Sequence, residues 1–141
     1  MSKLLLDLIK RFEGCKLFAY LCPAGIWTCG WGATGKDVVK GTTWTQATAD
    51  RRLDADALRF LLAASNESPV LWFDESKQAA IADFCFNLGM TRYKASTLKR
   101  KVNAGDWEGA QEELMKWVWG GGRKLPGLVL RRQAEALLLK Q

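Results

Sequence analysis

The stretch Glu13–Gly35, EGCKLFAYLCPAGIWTCGWGATG, decides the fold. It contains two short runs rich in aromatic and β-branched residues, 16–20 and 26–31, and it ends in a cluster of glycines. The two runs predict the strands of a β-hairpin. A turn over 22–25, with proline second and glycine fourth, closes the hairpin. We therefore expect a small β-structure that folds back on the segment before it.

That preceding segment, residues 3–12, predicts an amphipathic helix. Its apolar residues recur at helical spacing, and the chain breaks at Gly14 just after the helix delivers Glu13. Partial burial beside apolar surface favours the protonated form of a carboxyl, which a general acid working near neutral pH requires. Since a glutamate at a helix end is more often only a solvated charge, its position alone is a weak indication.

The predicted hairpin brings two more reactive side chains toward that helix end. It carries Cys22 in its turn and Thr28 in its second strand. A carboxylic acid, a thiol and a hydroxyl around one groove can protonate a leaving group and hold a water molecule. A lysine near the thiol, Lys16 or Lys36, would raise its thiolate fraction.

The rest of the chain predicts mainly helices. They run from Thr43 or Thr45 to about Ala64, over 75–88 after Asp74, from Ser96 to about Val102, from Asp106 to about Val118, and from Pro126 onward. Residues 37–40 predict a third short strand, and Pro69–Phe73 predicts a loop.

The aliphatic residues of the last helix are expected to face inward. These are Leu130, Ala134, Leu137 and Leu138. Arg131 and Arg132 then either pair with acidic groups or face an anionic polymer. On the predicted helix that ends at about Ala64, Arg52 and Asp56 are spaced for a pair on the outer face.

The spacing Glu13-x8-Cys22-x5-Thr28 resembles the catalytic signature of the phage-type lysozymes, or endolysins, of glycoside hydrolase family 24. The middle position in that family is usually Asp and sometimes Cys. The flanking IKRFEG and TCGWGATG resemble the family too, as do FNLG (86–89), STLKRKVNAGDW (96–107) and GGGRKLPGLVLRRQAEALL (120–138). One departure is Ala33, where the family commonly has His.

The resemblance implies a lysozyme-like α+β fold that is mainly helical. A small N-terminal lobe, approximately 13–45, would hold a β-hairpin or three-stranded sheet. A connecting helix would lead to a helical C-terminal lobe, approximately 65–141, on which the first helix packs. At 141 residues and 48% hydrophobic composition, the chain suits a single catalytic domain, 1–141.

The resemblance also implies a lysozyme that cleaves the β-1,4 bond between N-acetylmuramic acid and N-acetylglucosamine in peptidoglycan and so causes lysis. Glu13 would be the acid, Cys22 the base, nucleophile or charge stabiliser, and Thr28 the group that orients water. Phe86, Asn87 and Thr97 would bind substrate. From the sequence, Asn87 at a helix end also suits a C-terminal cap.

Three alternatives stay open at this point. They are a lytic transglycosylase, a cysteine-dependent wall peptidase or amidase, and a non-catalytic wall-binding module. The sequence has no histidine, so a nucleophilic Cys22 would lack its usual base. The absence of histidine and of CxxC pairs also argues against a metal, and no cofactor is predicted.

The net charge of +6 favours an anionic polymer as the partner. No nucleic-acid motif is present, so bacterial peptidoglycan is the expected partner rather than nucleic acid. The N-terminal LLLDLI is interrupted by Asp7, which argues against a signal peptide or a membrane span. We expect a monomer with free thiols, made in the host cytoplasm and later released to the periplasmic cell wall.

Overall fold

The computed structural model describes residues 2–141, which form seven α-helices and two small antiparallel strand pairs. In chain order the elements are α1 (Lys3–Phe12), β1 (Lys16–Leu21), β2 (Trp27–Gly30), α2 (Gln46–Glu67), a 3₁₀-helix (Pro69–Phe73), α3 (Glu75–Leu88), α4 (Met90–Lys94), α5 (Thr97–Asn103), α6 (Trp107–Leu114), β3 (Trp119–Gly120), β4 (Arg123–Lys124) and α7 (Pro126–Lys140). The predicted mainly helical α+β architecture is confirmed.

Helix starts follow the predicted capping residues. Thr45, rather than Thr43, accepts the N–H of Thr48 at 3.1 Å and begins α2. Asp74 and Asp106 accept backbone N–H groups at the starts of α3 and α6, at 3.1 and 2.9 Å. Each cap satisfies an N–H that the first turn leaves unpaired, which fixes where the helix begins.

The predicted strand over 37–40 is wrong. These residues form turns, in which Val38 N–H donates to Gly35 O at 3.0 Å and Thr42 N–H donates to Val39 O at 3.1 Å. The third extended segment comes slightly later, where Thr43 bridges Phe18 on the free edge of β1. The N–H groups of Val38 and Val39 both donate locally, to Gly35 O and to the Thr42 hydroxyl, so they are not available to a sheet.

Two further local structures differ from expectation. Pro69–Phe73 is a 3₁₀-helix rather than a loop. The glycine run before α7 forms a second small hairpin, with Trp119 opposite Lys124. Gly121 and Gly122 close it with φ of 57° and 79°, a conformation that glycine adopts without strain.

The predicted inward face of α7 is only partly correct, because Leu138 packs against buried apolar residues but other predicted residues do not face inward. Leu130 and Leu137 are 55% and 61% exposed, while its buried residues are Arg131, Arg132, Glu135 and Leu139. The helix is rotated so that its charged residues meet polar partners on α3, and those partners make their burial tolerable.

Two clusters of buried apolar side chains hold the helices together. In the first, Leu5 and Ile9 of α1 pack against residues of α2 and α3, namely Leu53, Ala57, Leu61, Ala79 and Ala82. The second lies among α2 to α7 and includes Phe84, Leu98, Leu114 and Leu139. Helix α3 contributes to both clusters, so it fixes α1 relative to α7.

Arg52 ties the small lobe to α2. It pairs with Asp56 on its own helix at 3.1 Å, as predicted, but it also donates to Asp37 Oδ2 and Thr34 O, each at 2.5 Å. The pair therefore does not lie on the outer face. Its contacts hold the loop after β2 against the connecting helix.

Replacing Gly30 tests the packing of β2 on that loop. Gly30 has φ of 64°, and an added Cβ would lie 3.0 Å from Trp44 Cζ3. We expect Gly30→Ala to lower the free energy of unfolding by about 1–3 kcal/mol, measured by urea denaturation. Gly14→Ala is the control, since nothing lies within 4 Å of its added Cβ, and it should change stability by less than about 0.5 kcal/mol. Equal stabilities of the two variants would contradict this account.

Candidate active site

Glu13 lies where α1, the loop after β2 and α7 meet. It is the C-cap of α1, and its N–H donates to Ile9 O at 2.8 Å. Its Oε2 accepts a hydrogen bond from Arg131 Nη1 at 2.5 Å. A Cβ at Gly32 would stand 3.2 Å from its Oε1, so glycine at this position allows the loop to approach the acid. The carboxyl is half-buried and held at a fixed place.

Arg131 itself is buried between two acids. Its Nε and Nη2 donate to the two oxygens of Asp83, at 2.9 and 2.7 Å, while Nη1 reaches Glu13. The sequence left pairing or polymer contact open for this residue, and the structure shows pairing. Glu13 is therefore in contact with a guanidinium as well as with the expected apolar surface.

Cys22 begins the hairpin turn. Its N–H donates to Ile26 O at 3.0 Å, and its own carbonyl accepts the N–H of Gly25 at 2.8 Å. The pKa of the Cys22 thiol is lowered, mainly by the backbone N–H of Ile26, with further contributions from Ala24 and the Thr28 hydroxyl outweighing the opposing effect of burial. These groups, rather than the lysines considered from the sequence, are responsible for the shift.

Thr28 is buried opposite Tyr20 in the hairpin. Its hydroxyl donates to Ile26 O at 3.0 Å, the same carbonyl that accepts the Cys22 N–H. The Thr28 side chain therefore supports the turn that carries the thiol, in addition to contacting that thiol.

Tyr20 is close enough to both Cys22 and Glu13 for their charges to act on its phenol, and sequence reasoning missed it. Burial raises the pKa of its phenol, and the nearby charges of Glu13 and Cys22 raise it further. Side chains at i and i+2 of a strand share a face, so Tyr20 lies on the same face as Cys22. The alternation of side chains along the predicted strand was the signal in the sequence that could have identified Tyr20.

Two depressions flank Glu13. One of 510 Å³ is lined by Glu13, Asn87, Arg131 and the start of α7. The other, of 130 Å³, is lined by Gly32, Phe86 and polar residues of α2. A third depression, of 230 Å³ between α1 and α7, is mainly apolar and lies away from these groups. The first two depressions are where a polymer would reach the acid.

The three predicted substrate-binding residues occupy different places. Asn87 Oδ1 accepts from Arg132 Nη2 at 2.8 Å, and Phe86 packs edge-on against Phe60. Thr97 begins α5, accepts a hydrogen bond from Arg100 at 2.8 Å, and is not among the residues lining either depression. Helix α3 ends at Gly89, whose N–H bonds Cys85 O, so capping falls to the backbone of Gly89 rather than to the Asn87 side chain.

The structure also bears on metal binding, membrane-spanning helices and the state of the cysteines. Across residues 2–141, no group of three or more His, Cys, Asp or Glu side chains is arranged to hold a metal ion. None of the helices in that range has the length and apolar character needed to cross a bilayer. Cys29 and Cys85 are buried free thiols, whereas Cys15 and Cys22 are partly exposed.

The mainly helical fold and a fixed carboxyl between two depressions define a lysozyme-like glycosidase. Residues 10–135 match the family model described as phage lysozyme, and the chain belongs to that family. The protein is therefore a lysozyme-type peptidoglycan hydrolase, as the sequence predicted.

Known proteins resemble the whole chain. The endolysin of Acyrthosiphon pisum secondary endosymbiont phage 1 is 43% identical, over 96% of this chain and 94% of its own. The muramidase domain of SpmX from Asticcacaulis excentricus superposes with a TM-score of 0.86 at 29% identity, covering 99% and 97% of the two chains. The endolysin of Escherichia coli O157:H7 phage FAHEc1 gives 0.82 at 32% identity, covering 98% and 91%.

Alkylation kinetics test the surroundings of the thiol. Thr28→Val removes a hydroxyl that lowers the pKa of Cys22, so we expect that pKa to rise. The pH dependence of Cys22 alkylation, followed by mass spectrometry of the modified peptide, measures the change. Lys16→Gln is the control and should leave the profile in place, because the Lys16 ammonium lies over the Tyr20 ring at 4.9 Å. If the pH profile of alkylation shifted in Lys16→Gln but not in Thr28→Val, the assignment of the lowered Cys22 pKa to the Thr28 hydroxyl would be contradicted.

Proposed function

We propose that the enzyme hydrolyses the β-1,4 bond between N-acetylmuramic acid and N-acetylglucosamine, with Glu13 as general acid. The observation that carries this proposal is the fixed position of its carboxyl. Oε2 is held by Arg131, while Oε1 points toward Gly32 between the two depressions. A glycan strand lying across both depressions would present its glycosidic oxygen to this carboxyl.

Cys22 takes the place of the second carboxylate that most glycosidases use. Its lowered pKa increases the thiolate fraction at neutral pH, which gives it the negative charge this position requires. A thiolate there acts as base for water, as nucleophile, or as stabiliser of the oxocarbenium-like transition state. Thr28, whose hydroxyl adjoins the thiol, orients the attacking water.

Substrate binding is assigned to Phe86, Asn87 and Thr97. Asn87 lines the larger depression, and its oxygen is engaged by Arg132, which leaves its NH₂ group for an N-acetyl or hydroxyl oxygen. Phe86 lines the smaller depression with an apolar surface suited to a sugar face. Thr97 would meet the strand further along, beyond the two depressions.

The proposed setting is the bacterial wall. The net charge of +6 suits the carboxylate-bearing polymer. Residues 1–141 would act as one catalytic domain and as a monomer, with the packing of α1 on α3 joining the first helix to the C-terminal lobe. We place its synthesis in the host cytoplasm and its action, after release, at the periplasmic cell wall.

The acid is tested by Glu13→Gln. Glutamine keeps the size of the side chain but cannot donate a carboxylic proton, so we expect hydrolysis to fall by at least about 100-fold while the fold is retained. The measurement is mass spectrometry of purified peptidoglycan after digestion, with circular dichroism as the folding control. A folded Glu13→Gln protein with wild-type activity would remove Glu13 from the mechanism.

The same digest separates the competing activities. New reducing ends support a glycosidase, whereas anhydro-muramic ends identify a lytic transglycosylase. New amines identify a peptidase or amidase. Binding to the wall without any released product identifies a non-catalytic module.

The proposed role of the Cys22 thiol, in place of a second carboxylate, is tested by substitution. Cys22→Asp restores a carboxylate at this position and should keep activity, whereas Cys22→Ala removes the charge and should lower kcat by about 10-fold or more. Initial rates on purified peptidoglycan give the comparison. Cys15→Ala, which removes the other partly exposed thiol, is the control. Full activity in Cys22→Ala would contradict the assignment.

A further inference from the structure

The smaller depression beside Glu13 contains a guanidinium to which the proposed reaction gives no role. Arg59 of α2 lines this depression together with Gly32 and Phe86. Its side chain is 65% exposed, so its charged end reaches solvent. An added Cβ at Gly32 would lie 3.2 Å from Glu13 Oε1, which places the depression next to the acid. A group bound by Arg59 would therefore be part of a molecule that also lies beside the acid.

The charge of Arg59 is only weakly engaged within the protein. Its hydrogen bond among residues 2–141 joins Nη2 to Asp56 Oδ1 at 3.5 Å, which is long for this type of contact. Asp56 has a closer partner in Arg52, whose Nε lies 3.2 and 3.1 Å from its two carboxylate oxygens. An exposed ion pair of this kind contributes little. Most of the N–H groups of Arg59 are therefore available to a ligand.

Phe60 holds the guanidinium of Arg59 from one side. The Arg59 Cζ atom lies 4.6 Å from the centroid of the Phe60 ring, as a cation–π contact requires. Phe60 in turn packs edge-on against Phe86, with 5.6 Å between the ring centroids. A guanidinium held against a ring keeps its edge free, and that edge presents N–H groups in the planar arrangement that matches a carboxylate. The depression thus combines an aromatic wall with a carboxylate-binding group.

The loop after β2 leaves room for such a carboxylate. It contributes Gly32, Ala33 and Thr34 to the depression, and the first two have no side-chain atom beyond Cβ. In peptidoglycan the sugar N-acetylglucosamine is uncharged, whereas N-acetylmuramic acid carries a peptide stem with free carboxylates. A carboxylate close to the bond that is cleaved therefore comes from the stem.

We propose that Arg59 is a specificity-determining residue that binds a carboxylate of the peptide stem in the smaller depression. The contact favours strands whose stems carry free carboxylates. Because the stem does not react, the contact is equally strong in the ground state and the transition state, so it lowers KM and leaves kcat unchanged. The inference rests on the proposed function, since it takes this cleft to be the binding site of peptidoglycan.

The test compares Arg59→Gln with Arg51→Gln. Both residues are exposed arginines of α2, but Arg51 donates to the Thr48 hydroxyl at 3.3 Å and is not among the residues that line the depression. Each substitution is made in the wild-type protein and in Glu13→Gln. Binding is measured by co-sedimentation with purified peptidoglycan and with the same polymer after a carbodiimide and excess ammonium have converted its carboxylates to neutral amides.

We expect Arg59→Gln to weaken binding to untreated peptidoglycan by about fivefold, and to bind the amidated polymer as tightly as its parent does. In the wild-type background, KM for untreated peptidoglycan should rise by the same factor at unchanged kcat. Arg59→Lys keeps the charge but loses the planar pair of donors, so its affinity should fall between the two. Arg51→Gln should match its parent on both polymers.

The other outcomes overturn the inference. Arg59→Gln that binds untreated peptidoglycan as tightly as Arg51→Gln removes the contact. Equal weakening on the untreated and amidated polymers assigns Arg59 to packing on Phe60, and a melting temperature lowered by more than about 5 °C assigns it to the fold. A parent protein that binds neither polymer defeats the proposed function and the inference together. An active Glu13→Gln protein defeats only the proposed acid, because the binding comparison does not depend on cleavage.

Discussion

The buried guanidinium of Arg131 is the constraint on which the arrangement of the site depends. A cation that is 3% exposed requires acceptors on every side, and it finds them on Asp83 of α3 and Glu13 at the end of α1. Removing one partner from such a buried pair typically costs about 3–5 kcal/mol. The position of Glu13 is consequently set by the packing of three helices rather than by the surface loop that follows it. An acid fixed in this way needs little reorganisation when substrate arrives.

In the small lobe, backbone hydrogen bonds rather than a buried ion pair fix the position of the reactive group, the Cys22 thiol. The turn that carries Cys22 is closed by backbone hydrogen bonds to Ile26 and Gly25, and the same carbonyl of Ile26 accepts the hydroxyl of Thr28. Backbone N–H groups provide a positive potential that does not depend on a flexible side chain. The thiol therefore receives its stabilisation from the turn itself. Arg52 then holds this lobe against α2, through contacts to Asp37 and Thr34.

Local features of the sequence predicted much of the fold, whereas pairing between residues far apart in the chain could not be predicted from them. The bounds of α1 and α3 followed from apolar spacing and capping, which involve only neighbouring residues. The buried face of α7 was missed because the burial of Arg131 depends on Asp83, 48 positions away. Similarly, residues 37–40 form turns rather than the expected strand, and it is Thr43, further along the chain, that pairs with β1. In the site, the motif named Glu13, Cys22 and Thr28, but nothing in it indicated that a guanidinium would contact the acid.

That guanidinium has a specific consequence for the proposed reaction. A general acid ends its step as a carboxylate, and Arg131 Nη1 is already in place to bind the charge that forms on Glu13. The contact becomes stronger as the proton leaves, so it stabilises the transition state more than the ground state. The same contact opposes return of the proton before the next turnover. Asp83 holds Arg131 in place behind the cleft, so this buried pair contributes to the chemistry of Glu13 as well as to the packing of α3 against α7.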